Sequence, residues 1–151
     1  MTRAIEFGEE DIGNVLSLEH VNLKIPDQAK ATLFYLVGLG LTRDPYINVG
    51  LNNMWINVGE QQFHLPTGNP QVIPGQIRLV IPNLEELKAR LERVKEPLKD
   101  TQFTWNTGEG FVDVRCPWGN HIRCVSPGPG FGVVFECCVV SPVAPGPSAA
   151  R

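Results

Sequence analysis

The chain has 151 residues, 42% of them hydrophobic and 19% charged, and carries a formal net charge of −3. That length supports one domain with a real core and not two independent ones, and the composition is globular rather than disordered or fibrous. No cluster of Lys and Arg marks a nucleic-acid or anionic-membrane footprint, no stretch approaches the roughly 18 apolar residues needed to span a bilayer, and Met1 to Asp11 lacks the apolar core of a signal peptide. The expectation is a cytoplasmic protein whose partners are small molecules or proteins, with no nucleic acid and no membrane.

In chain order, residues 1–16 are acidic and irregular and read as an N-terminal arm. Leu18 to Ile25 alternates as a strand, with Val21, Leu23 and Ile25 on one face and His20, Asn22 and Lys24 on the other. Asp27 after Pro26 is a good helix N-cap, and Ala29, Leu33, Phe34, Leu36 and Val37 give the helix an apolar stripe that Gly38-Leu-Gly40 ends. Three extended runs follow, Thr42 to Val49, Asn52 to Val58 and Gln61 to Pro66, separated by Gly50, Asn52-Asn53 and Gly59. They suggest an antiparallel meander.

Residues 67–73 form a turn-rich linker, and then the pattern starts again. Leu18-Glu-His-Val-Asn-Leu-Lys-Ile-Pro-Asp27 is answered fifty-six positions on by Pro74-Gly-Gln-Ile-Arg-Leu-Val-Ile-Pro-Asn83. Ile77, Leu79 and Ile81 take the apolar face of the new strand, and Gln76, Arg78 and Val80 the other. Asn83 caps a helix with the stripe Leu84, Leu87, Leu91 and Val94, whose charged remainder is a solvated face. Extended runs recur at Gln102 to Asn106, Phe111 to Cys116 and His121 to Val125. Residues 128–151 read as a C-terminal extension with an apolar run at Phe131 to Val140 and a disordered tail. The four cysteines, Cys116, Cys124, Cys137 and Cys138, make no CxxC pair, so reduced and mostly packed thiols are expected.

The helix in each module should cover the face bearing the regular apolar residues, which leaves the opposite face open. Alternation sends His20, Asn22, Lys24, Gln62 and His64 to that face in module one, and Gln76, Arg78, His121 and Arg123 in module two. Matching the last strands with a one-residue shift sets His64 against Arg123. All three histidines fall on open faces, where an antiparallel sheet with one solvated side also collects polar residues without any site. Imidazoles and an amide can ligate a divalent metal, and guanidinium groups suit carboxylate, phosphate or enolate.

The arrangement resembles the vicinal oxygen chelate superfamily, the glyoxalase, bleomycin-resistance and extradiol-dioxygenase group. The resemblance covers about residues 17–127. It rests on Leu18 to Asp27, on Phe34-Tyr-Leu-Val-Gly-Leu-Gly-Leu41, on Phe63-His-Leu65, and on Cys116-Pro-Trp-Gly-Asn-His-Ile-Arg123, which is similar to that family's Asp-Pro-x-Gly-Asn-x-Ile-Glu ending. It implies an α+β fold of two βαβββ modules, residues 17–66 and 74–127. Each is a curved mixed sheet covered by a helix, and the two form a shared open cavity. It also implies a homodimer.

Family members that hold a metal draw ligands from the first and last strands of each module, which by position are His20, His64, Gln76 and Arg123. Arg123 departs from the pattern, because a guanidinium has no lone pair to give and replaces the carboxylate that moves protons in glyoxalase chemistry. Glyoxalase I activity itself is therefore not expected. Three alternatives stay open: His121 as a third imidazole, Asp113 or Glu60 as a carboxylate, or no metal at all. Two functions follow from the resemblance. One is a metal-dependent lyase, isomerase or dioxygenase for a small oxygenated metabolite. In it His20, His64 and Gln76 hold iron, zinc, nickel or manganese, and Asn22, Arg78, Arg123 and His121 serve ligand binding and catalysis. The other is a metal-free protein that binds or sequesters a small anionic or aromatic compound, with Trp55, Trp105 and Trp118 as pocket or rim aromatics, against core packing or a turn anchor as the more usual role of each.

Overall fold

A computed structural model describes residues 18–47 and 50–128, and the expectations for the N-terminal arm, the C-terminal extension, Cys137 and Cys138 lie outside those residues. Module one runs β1 (His20–Asn22), α1 (Gln28–Ala31) continuing into a π-helical stretch (Thr32–Gly38), β2 (Thr42–Arg43), β3 (Asn53–Val58) and β4 (Gln61–Pro66). Module two repeats it as β5 (Gln76–Val80), α2 (Leu84–Lys95), β6 (Thr104–Gly108), β7 (Phe111–Arg115) and β8 (His121–Val125). Each module is a four-stranded mixed sheet of the same order, β1-β4-β3-β2 and β5-β8-β7-β6. First and last strands pair in parallel and the other neighbours antiparallel. The two-module α+β architecture is thus the one expected from the repeat.

Both helices start as their sequences require. The Asp27 carboxylate accepts from the backbone N–H groups of Ala29 and Lys30, and the Asn83 side chain from those of Glu85 and Glu86, satisfying donors that a helix start leaves unpaired. The second helix buries Leu87, Leu91 and Val94, as its stripe requires. The first departs from a regular stripe. Beyond Thr32 its N–H groups reach back five residues, ending in Leu39 N–H on the Phe34 carbonyl at 2.8 Å, so each turn is wider. The buried set becomes Ala31, Phe34, Tyr35 and Gly38, while Ala29 and Val37 are exposed. A 3.6-residue period does not find that face.

The sheets follow alternation. Leu23, Ile25, Met54, Ile56, Phe63 and Leu65 of module one, and Ile77, Leu79, Val112, Val114, Ile122 and Cys124 of module two, are buried in one core with both helices. The helices meet where the chain has no side chain to separate them: a Cβ added at Gly38 would stand 3.1 Å from Val94 Cγ2 and 3.8 Å from Leu91 Cδ2. Phe34 carries the contact into module two, edge-on to Phe103 at 5.8 Å between centroids. Cys116 and Cys124 are free and buried, and burial together with the nearby Asp113 carboxylate pushes the Cys124 thiol up to about 12, so it behaves as a packed apolar group. Trp118 is also buried and Trp105 packs against the core, so neither is a rim aromatic.

Leu91 is fully buried at the helix crossing. Leu91→Ala should cost about 3 kcal/mol in chemical denaturation, and Arg93→Ala on the exposed face of the same helix less than about 0.5 kcal/mol.

Candidate functional site on the open faces

The parallel pairing lays the polar residues of each sheet in rows. In module one His20 sits beside Gln62 and Gln62 beside Asn57, and one row on Asn22 sits beside His64 and His64 beside Trp55. In module two the matching rows are Gln76, His121, Arg115 and Thr104, then Arg78, Arg123, Asp113 and Asn106. His64 and Arg123 therefore hold equivalent positions, as the shifted alignment requires. Trp55 answers to Asp113, and Asn57 to Arg115.

The equivalent rows carry different chemistry. In module one the Trp55 indole lies flat on His64, 4.1 Å between centroids with 13° between planes, and His20 meets both edge-on, at 4.8 Å from Trp55 and 6.0 Å from His64. His20 Nδ1 is 3.2 Å from the Glu19 carboxylate. His64 Nε2 is buried with no hydrogen-bond partner, and so is Asn53 Oδ1 on the same strand as Trp55. Such atoms cost free energy unless a ligand or water satisfies them. Burial, and then the neighbouring His20, hold the His64 imidazole below its ordinary value, so the neutral ring is favoured.

In module two the Arg123 guanidinium donates through Nε to Asp113 Oδ1 and through Nη2 to Oδ2, both at 2.7 Å, and stacks over Phe111 at 4.1 Å. The pairing with Asp113 holds Arg123 firmly protonated. The Gln76 amide reaches the same carboxylate at 3.5 Å. Asp113 is thus the carboxylate on this face, placed by β7 directly across from Arg123.

The side chains expected to act together divide between these two clusters. His20 and His64 are neighbours, with Asn22 beside His64 in register; Gln76, Arg78, His121 and Arg123 belong to module two. No group of three or more His, Cys, Asp or Glu able to hold a metal exists among the described residues, so His20, His64 and His121 do not form a three-imidazole set. The donors fit a metal incompletely: two imidazoles converge, one with an unsatisfied nitrogen, while Gln76 is turned to Asp113 and Arg123 offers no lone pair. Trp55 is the residue that alternation alone left unplaced. The two-residue turn Gly59-Glu60 was the available signal, since it fixes the register that puts Trp55 opposite His64.

No family model matches the sequence, and no curated protein matches it. Solved structures do match its fold. A Bacillus anthracis protein assigned to the glyoxalase family aligns over 77% of this chain and 98% of its own, with 16% identity and a TM-score of 0.54. The fosfomycin resistance protein FosX of Listeria monocytogenes aligns over 76% and 93%, with 11% identity and a TM-score of 0.58. A Bacillus subtilis protein assigned as a dioxygenase aligns over 74% of this chain and 40% of its own, with 20% identity and a TM-score of 0.51. At these identities the likeness is one of fold.

Because the folded state disfavours the His64 imidazolium, the unfolded chain takes that proton first as pH falls. The stabilisation is present above the ordinary value of about 6.5 and lost below it. Denaturation midpoints measured from neutral to mildly acidic pH should fall in the wild type, and by less in His64→Gln.

Proposed function

We propose that this chain, whose fold is that of the vicinal oxygen chelate superfamily, is a small-molecule-binding protein that works without a metal. The observation that carries this reading is a pair of buried, unpartnered polar atoms on the first sheet: Nε2 of His64, whose ring stacks on Trp55, and Oδ1 of Asn53, two residues from Trp55 on the same strand. A donor or acceptor sealed from solvent without a partner is an unfilled demand for a hydrogen bond, and an organic ligand stacked near the indole can meet it. The ion pair of Arg123 with Asp113 supports the same reading, because it occupies the place where a metal-binding member would bring its last donor.

The second reading is the metal-dependent lyase, isomerase or dioxygenase. The same unsatisfied His64 nitrogen favours it, with His20 as its neighbour, provided further donors such as Gln76 come within reach in an assembled protein. We infer a homodimer as that assembly. Tyr46 and Leu51, 92% and 89% exposed, offer apolar side chains for a second copy to cover.

Protein purified without added metal should carry no near-stoichiometric iron, zinc, nickel or manganese, and adding each in turn should leave its melting temperature unchanged. Small aromatic compounds should quench its tryptophan fluorescence, and His64→Ala should weaken that quenching. Bound metal that disappears in His20→Ala and His64→Ala would instead establish the second reading.

A further inference from the structure

The second sheet concentrates positive charge on a chain that is acidic overall. Its two polar rows carry three arginines, Arg78, Arg115 and Arg123, and the imidazole of His121 against one carboxylate, Asp113, while the whole chain has a formal net charge of −3. These cations are not equivalent. Arg123 has given two of its donors to Asp113 and its face to Phe111, so it is not available to a ligand without breaking a bidentate pair. Arg115 and His121 sit side by side one row away, and their side chains have no hydrogen-bond or ion-pair partner among the described residues. Thr104 flanks Arg115 and Gln76 flanks His121, so one row across the sheet presents a hydroxyl, a guanidinium, an imidazole and an amide. Cross-strand neighbours of this kind stand roughly 5 Å apart, close enough for adjacent members to share one ligand.

A cavity of about 130 Å³ opens over this row, lined by Gln76, Thr104, Asn106, Asp113, Arg115 and His121. That is room for a few atoms beyond a single water, whose share of liquid volume is about 30 Å³. We propose that this cavity is a receptor for the oxyanion group of a small ligand, a carboxylate or a phosphate, with Arg115 and His121 as the binding groups and Asp113 as the residue that limits affinity. The guanidinium takes two oxygens at once, Thr104 supplies a neutral donor at one side, and Gln76 supplies at the other the amide hydrogen that it does not direct at Asp113. Asp113 lines the same space, but Arg123 neutralises it. The ion pair thus keeps a carboxylate beside an anion site and tunes how strongly anions are held. This deepens the small-molecule reading by naming the charge of the ligand, and rests on that reading in taking the open face as a ligand surface; it does not depend on His20, His64 or a metal.

The test is calorimetric titration of the intact protein at low salt with inorganic phosphate and, separately, with malonate. Binding of either supports the receptor, and the arm that responds tells phosphate from carboxylate. Arg115→Gln and His121→Asn, both at exposed positions, should each weaken it roughly tenfold or more, the loss expected for one charge-assisted hydrogen bond. Arg93→Gln on the far face of α2 should leave affinity unchanged. Asp113→Asn should tighten binding by removing the opposing charge and freeing Arg123, a gain that mere structural damage does not produce. The proposal is overturned if neither anion binds at millimolar concentration, or if Arg115→Gln and Arg93→Gln behave alike. Should the anions fail while aromatic compounds still quench tryptophan fluorescence, this inference falls and the reading of the first sheet stands.

Discussion

The parallel pairing of the first and last strand in each module is the constraint on which the rest of the structure depends. It sets Asn22 beside His64 and Arg78 beside Arg123, and through the antiparallel neighbours it carries the same rows across to Trp55 and Asp113. A slip of one residue would turn Phe63 and Leu65, or Ile122 and Cys124, to the open face, and send His64 or Arg123 into the core. The register is therefore enforced by the hydrophobic effect and not by the polar residues it arranges. Burial on one face fixes chemistry on the other.

Given that scaffold, the modules diverge at equivalent positions. His64 on Trp55 is a stack of neutral rings with a nitrogen left unpartnered, whereas Arg123 on Asp113 is a bidentate ion pair with its charge satisfied internally. The first leaves a demand that a ligand or a metal would meet. The second removes the cation that its position would otherwise offer and leaves the exposed positive charge of that face to Arg78 and Arg115. A duplicated frame has in this way produced two surfaces with different needs, and the solved structures that share the fold, from a protein assigned to the glyoxalase family to FosX, are similarly varied in what their names describe.

Much of this was legible in the letters. The repeat from Leu18 to Asp27 and from Pro74 to Asn83 predicts two copies of one unit, and alternation assigns nearly every strand residue to its observed face because each sheet buries one side only. The caps Asp27 and Asn83 act as their side chains dictate. The first helix was harder. Its wide turns end at Gly38, which lies against Val94 and Leu91, a contact between segments far apart in sequence that no local period encodes. Trp55 opposite His64 was within reach through the two-residue turn at Gly59. Asp113 opposite Arg123 was not, since that register hangs on the five-residue connection from Cys116 to Asn120, closed by Cys116 N–H on the Asn120 carbonyl at 2.8 Å.

By itself, then, the sequence determined the two modules, their order and the side of the sheet on which His20, His64, Gln76, His121 and Arg123 stand, because period and burial are local properties of a strand. Only the tertiary structure decided which of them meet. Contact across strands depends on register and on connections whose geometry is set by the packed whole, and that is why Arg123 found Asp113, Gln76 turned the same way, and the three histidines did not converge.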